Sequence, residues 1–379
     1  MSHCSKMSLS RSCFSILISL LCGWFIFPYA ARGQDAVKFN VGVIIPLTGD
    51  LADYGSSIQR GFDLATSGAP QNFSNVNFVF EDSRYDGNAA VTALQKLRVS
   101  EDINLYYAWG VSPTEAIIPI TESGKLPLLV ETTLKESTTK KAYVVRAART
   151  GERIAQALAA ELAKRKLQSV SFLNTDIPFY DDILRHLEVL LPKENIKITR
   201  VEKILPTEND LRSYLLKLGT QKNDAIGAFL LPAQFASFYK NVAQLKLSVQ
   251  TFSADIIGSD SIIKDCPDNI NGAFFTEVGI TPEFRKLYTE KYGNDGHIGH
   301  AAQAYDVANL ISDLFGNLKQ KISRDDIMRT ISQIPARKGA TGEFSYSDTH
   351  DGGKEIRVPV AIKEIKNRKI ETITEDAGV

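Results

Sequence analysis

The sequence predicts an α/β protein built from two doubly wound parallel sheets, one in each of two lobes. Three observations carry this. Short apolar runs alternate with segments whose apolar residues recur every three or four positions. The alternation runs from Val37 to Val130 and then restarts near Arg153. At 379 residues the chain can give each half its own core.

The first strand, Val37 to Ile45, stops at Pro46, which has no amide to donate to a ladder. Gly49, in Thr48-Gly49-Asp50, permits the tight turn that follows, and a helix runs from about Gly55 to Thr66. Asn77 to Glu81 is a strand, and Asn88 to Val99 a helix with Ala90, Leu94 and Leu97 on one face. Leu105 to Trp109 is a strand, a helix runs from Pro113 to Thr121, and Leu126 to Val130 is the next strand.

The second unit opens with a helix from Arg153 to Arg165, its Ile154, Ala157, Leu158 and Leu162 at helical spacing. Strands at Ser169–Asn174, Lys197–Val201, Ala225–Leu231 and Gln250–Ser253 then alternate with helices at Tyr180–Leu190, Asp210–Leu218 and Gln234–Leu245. Helices at Pro282–Tyr292, Ala301–Gly316 and Asp325–Ser332 follow, and Arg357–Ile362 reads as one closing strand. This β-α-β-α rhythm is that of a parallel sheet covered on both faces.

Lys and Arg together number 44, as do Asp and Glu, so the chain has no formal net charge. With no block of like charge, nothing points to nucleic acid or an anionic membrane. The N-terminus has the layout of a secretory signal peptide over residues 1–33. Lys6 and Arg11 precede an apolar run from Cys13 to Phe27, and small residues follow at Ala30, Ala31 and Gly33. The run is short for an anchor that spans a membrane. Cleavage after Gly33 would remove Lys6, Arg11, Arg32 and no acid, leaving 41 basic and 44 acidic residues. It would also leave Cys266 as the one cysteine, in the turn-like Asp265-Cys266-Pro267.

In a doubly wound sheet, ligands bind beyond the carboxyl ends of the strands. The turns there lack a glycine triplet and a Gly-Lys-Ser/Thr, so a phosphate cradle is unsupported. No hydrolase elbow is present, and no cofactor is implied. His297 and His300 lack acidic or cysteine companions for a metal set and read as surface or helix-capping residues. What remains is binding. Ser112, placed just before a helix that begins at Pro113, suits a ligand carboxylate, because helix-start donors favour negative charge; a plain cap is the alternative. Asp255, at a strand end, could meet an ammonium or cap a turn. Tyr54 and Tyr180 follow strands of different units and could close on a ligand from opposite sides or simply pack. Trp109 reads as core.

Five stretches together resemble a known family. They are VGVIIPLTGDLADYGSSIQRGFDLA from Val41, EDSRYDGNAAVTALQKL from Glu81, GVSPTEAIIPITESGKLPLLVETT from Gly110, HAAQAYDVANLI from His300 and GATGEFSYSDTHDG from Gly339. In this order, they resemble the periplasmic binding proteins of the branched-chain amino acid type, which serve ATP-driven uptake. The resemblance implies the type I fold: two α/β lobes, three crossings and a hinged cleft. Lobe I would hold 34–150 and 280–354, and lobe II 151–279 and 355–379, with crossings near Thr150, Gly279 and Lys354.

By position, Tyr54, Ser112, Thr132 and Thr133 would line the first lobe. Tyr180, Ala233 or Gln234, and Asp255 would line the second. The serine position could fall at Val111 or Ser112. Leu134 stands where a threonine is common, and Ser67-Gly68-Ala69-Pro70 replaces a usual glycine pair. The implied role is a monomeric periplasmic protein without catalysis, metal or nucleic acid. It would deliver a small solute, first of all an amino acid, to the membrane permease of an ABC transporter. A ligand-sensing subunit that binds an amide or a small organic acid is the alternative.

Overall fold

The computed structural model describes residues 37–375 except 221, 294–296 and 350. The expected signal peptide lies outside the described residues. In chain order the first run is β1 (Phe39–Ile45), α1 (Ala52–Gly68), β2 (Val76–Asp82), α2 (Gly87–Ser100) and β3 (Ile103–Trp109). Next come α3 (Val111–Ser123), β4 (Leu128–Glu131) and β5 (Val144–Arg146). The second run is α4 (Gly151–Lys164), β6 (Ser169–Thr175), α5 (Pro178–Leu190), β7 (Lys197–Ile204) and α6 (Arg212–Gly219). It continues with β8 (Ala225–Phe229), α7 (Pro232–Gln244), β9 (Gln250–Ala254), α8 (Asp260–Asp265) and β10 (Phe274–Val278). The chain returns with α9 (Pro282–Tyr292), α10 (Ile298–Phe315), α11 (Arg324–Ser332), β11 (Arg337–Gly339), β12 (Gly342–Asp348) and β13 (Lys354–Arg357). Strands β14 (Val360–Lys366) and β15 (Lys369–Thr374) end it.

Two sheets result. One has eight strands in the order β11-β12-β13-β5-β4-β3-β1-β2, the other seven in the order β15-β14-β10-β9-β8-β6-β7. Each has a parallel centre, β1 to β5 in one and β6 to β10 in the other, and an antiparallel edge made by the C-terminal strands. Helices cover both faces, so the central strands are apolar throughout rather than alternating. Val41, Val43, Ile44 and Ile45 of β1 are all fully buried.

Helix α1 buries Tyr54, Ile58, Phe62 and Ala65, one face at helical spacing. It lies against α10 at Gly61, where a Cβ would stand 2.2 Å from the Ala301 carbonyl oxygen. The chain leaves the first sheet after Arg146 and rejoins it after Val278. The third passage differs from expectation. Arg357–Ile362 is not one strand: β13 lies in the first sheet and β14 in the second, with Val358-Pro359 between them. Pro359 has no amide for a ladder, so the pairing breaks there. The third crossing therefore falls after Arg357, and Lys354 belongs to a strand of the first sheet.

Candidate functional site

The carboxyl ends of β1, β3, β4, β9 and β10 converge on one region. Asp82 shapes its first wall. Its carboxylate accepts from the Leu47 amide at 2.8 Å, the Arg84 amide at 2.9 Å and the Thr48 hydroxyl at 2.5 Å. Burial resists ionisation, yet these donors hold the carboxyl below its usual range. The pinned turn leads into α1 and presents Tyr54.

Tyr54 is the centre of a ring cluster. Its ring lies 3.9 Å from that of His297, 5.1 Å from His300 and 5.4 Å from Trp109, centroid to centroid. Tyr85 adds a further ring, 5.6 Å from Trp109. Gly110, at φ +94°, makes room for it, since a Cβ there would stand 2.4 Å from the Tyr85 ring. Trp109 Nε1 donates to His300 Nδ1 at 3.3 Å. Burial, then the charges of His297 and Arg149, push the His300 pKa well below the usual imidazole value. His300 is therefore a neutral acceptor. Tyr54 Oη is buried without a hydrogen-bond partner. Burial raises its pKa far above normal, and the nearby carboxylates of Asp255 and Glu277 add to this.

Beside the rings lies a buried ion pair. Arg149, in the crossing after β5, donates from Nη1 to Asp255 Oδ1 at 3.0 Å and from Nη2 to Asp255 Oδ2 at 2.7 Å. Both side chains are more than nine-tenths buried. Asp255 follows β9 at φ +45° and ψ −71°, a strained conformation for any residue but glycine. Glu131, at the end of β4, is also buried and accepts from Tyr107 Oη. Burial pushes its carboxyl up to about 8, against the hydrogen bond and the charge of Arg149. It is thus mostly protonated at neutral pH. Glu277 is paired with the buried Lys363.

The other expected site residues divide. Thr133 Oγ1 is buried and has no partner, while its carbonyl accepts from the Gly151 amide at 2.9 Å. Thr132 folds its hydroxyl back on the Leu134 amide at 3.4 Å. Tyr180 lies close enough to Tyr54, Asp255 and Tyr85 for their charges to act on it. Its hydroxyl, however, is given to the Leu230 carbonyl at 2.7 Å, and its ring is stacked on Phe229. Gln234 is fully buried and fully engaged. Its Oε1 accepts from Thr175 at 2.8 Å and from the Leu231 amide at 2.9 Å, and its Nε2 donates to the Glu208 carbonyl at 2.8 Å.

Ser112 is not a cap. Helix α3 begins at Val111, with Gly110 before it and no capping side chain. The helix starts earlier than Pro113 because glycine takes the positive φ. His297 and His300 are likewise not bland surface residues but ring partners of Tyr54. Cys266 is buried, and burial pushes its thiol up to about 12, which makes it unreactive.

Sequence reasoning did not nominate Arg149, Tyr85 or Glu131, which the structure brings to this region. The one available signal for Arg149 was a cation directly after a strand and before a crossing. A cavity of about 530 Å³ is lined by Asp260, Lys264, Glu277, Arg285, Ile298 and Lys369, among others. Another, of about 400 Å³, lies away from the site between α9, α10 and the β11–β12 hairpin.

Residues 38–369 match a family model described as periplasmic binding protein. No curated protein matches in sequence. Among solved structures, the chain is similar to the leucine binding protein LivK of Thermotoga maritima, with TM-score 0.77 and 19% identity over 88% of this chain and 97% of that one. It is similar to a solute binding protein of an ABC transporter from Rhodopseudomonas palustris in complex with benzoate, with TM-score 0.78 and 16% identity over 89% and 96%. It is also similar to the branched-chain amino acid transporter substrate binding protein LivJ of Streptococcus pneumoniae in complex with isoleucine, with TM-score 0.75 and 15% identity over 89% and 99%.

Proposed function

The chain belongs to the periplasmic binding protein family, and we propose that it captures a small organic acid, an amino acid or an aromatic carboxylate, between its two sheets. The supporting observation is the Arg149 guanidinium, buried at the meeting of the strand ends beside a ring cluster that keeps an unpartnered hydroxyl. A carboxylate taken out of water needs full pairing, and a planar guanidinium supplies two parallel donors. The rings of Tyr54, Tyr85, Trp109 and His297 offer flat apolar faces to the rest of the solute. Tyr54 Oη and Thr133 Oγ1 are buried polar atoms left for a further hydrogen bond.

Three passages of chain join the two lobes, a layout suited to hinge closure. A solute that touches both walls only in the closed form shifts the population toward it. The closed form would deliver its cargo, outside the cytoplasm, to the permease of an ABC transporter. The family is one of binding proteins, and no catalytic step is assigned.

Thermal unfolding of the full chain against amino acids, benzoates, aliphatic acids and neutral amides tests this. A solute at one hundred times its dissociation constant adds about 2.7 kcal/mol. Stabilisation by carboxylates that disappears in Arg149→Met is the expected result. Stabilisation by neutral amides alone, or one that survives Arg149→Met, would contradict it.

A further inference from the structure

Both Arg149 donors that could take a carboxylate are held by Asp255. We infer that Asp255 is an internal competitor for a ligand carboxylate at Arg149, so that the site selects carboxylates that need no ammonium partner. This rests on the functional reading above and sharpens its substrate class. Four observations support it. The contact has the two-point geometry of guanidinium with carboxylate, at 3.0 and 2.7 Å, so a free carboxylate would make the same bonds. Both Asp255 carboxylate oxygens accept from Arg149 while the fork is closed, and Oδ1 also faces the Thr276 hydroxyl at 3.4 Å. The backbone holds it at φ +45°, a cost that persists only when the surrounding structure enforces it. The enforcement is visible: the Asp255 amide donates to the Thr276 carbonyl at 2.8 Å, and its carbonyl accepts from the Gly258 amide at 3.0 Å.

The neighbouring groups agree with a carboxylate cargo. Glu277 is neutralised by Lys363, and Glu131 carries a proton at neutral pH. Neither offers a free negative charge to an ammonium. A ring-bearing acid would swing Asp255 off Arg149, take both guanidinium donors and lay its ring against Tyr54 and Trp109. The displaced Asp255 would turn toward Thr276, whose hydroxyl already stands 3.4 Å from Oδ1.

The test is calorimetric titration of benzoate and of L-phenylalanine into the full chain, as wild type, Asp255→Asn and Arg149→Met. Asparagine has the shape of aspartate and bears the same backbone strain, so the substitution changes the charge and leaves the turn as it is. Removing a competitor strengthens binding, whereas removing an ammonium partner weakens it, so the two roles predict opposite signs. The expected result is benzoate binding at least tenfold tighter in Asp255→Asn and lost in Arg149→Met, with L-phenylalanine no tighter than benzoate in the wild type. Weaker binding of either probe in Asp255→Asn, together with loss in Arg149→Met, overturns the competitor role and leaves the functional reading standing. Binding unchanged in Arg149→Met overturns the functional reading itself. Should Asp255→Asn not fold, Asp255→Gly suits the same backbone and leaves Arg149 open. Benzoate should then raise its unfolding temperature more than that of the wild type, and an equal or smaller rise would overturn the competitor role.

Discussion

The two walls of the proposed cleft follow one topological rule and yet spend their polar atoms differently. On the first-sheet wall Tyr54 Oη and Thr133 Oγ1 are buried without partners. On the second-sheet wall Tyr180 gives its hydroxyl to Leu230, and Gln234 uses both ends of its amide on Thr175, Leu231 and Glu208. Position at a strand end thus nominates a residue, but the accounting of its hydrogen bonds separates a recognising side chain from a supporting one. Arg149 and Asp255 stand between these cases, joined to each other across the floor by two bonds, with the Thr276 hydroxyl 3.4 Å from Asp255 Oδ1.

The comparison can be broken by substitution. The largest effect should come from the supporting wall. Gln234→Ala strands several buried groups and should cost about 3 kcal/mol in denaturant unfolding, with the ligand-induced shift retained. A loss of under about 1 kcal/mol would mean the amide is not structural. Next is a pH effect on the floor. The Glu131 carboxyl keeps its proton up to about 8 when folded, against an ordinary value of 4.5. As pH rises between those values the unfolded chain ionises first, so stability falls, by at most about 1.4 kcal/mol per pH unit. Above about 8 the decline stops, and Glu131→Gln should remove the slope. Unfolding midpoints from pH 5 to 9 measure both.

A smaller effect is expected for Tyr54→Phe. Deleting an unpartnered hydroxyl should change stability by less than about 1 kcal/mol in either direction, while weakening binding of any solute that uses it. The smallest is Lys286→Ala on α9. Its pair with Glu290 is exposed on both sides, and the change should stay within about 0.5 kcal/mol.

Most of the fold could be read in the sequence because apolar runs and helical spacing are local signals. Val41 to Ile45 and the face of α1 declare themselves by period alone. The misread strand at Arg357–Ile362 shows the limit: one extended run serves two sheets, and only tertiary pairing divides it at Pro359. The proposed site was legible in part. Tyr54 follows from its place after β1. The Arg149–Asp255 fork does not, since 106 positions separate its partners and nothing local marks them as neighbours. The cap reading of Ser112 fails because Gly110, rather than a capping hydroxyl, starts α3. His297 and His300 looked bland because their ring partners, Tyr54 and Trp109, come from the other end of the chain.

The most direct measurement is calorimetric titration of benzoate and L-leucine into the wild type, Arg149→Met and Tyr180→Phe. The first-wall-and-floor picture predicts at least a roughly 30-fold loss in Arg149→Met, the worth of a charge-assisted pair of bonds. It predicts a change within about threefold in Tyr180→Phe, whose hydroxyl serves Leu230. Binding abolished in Tyr180→Phe but intact in Arg149→Met would contradict it.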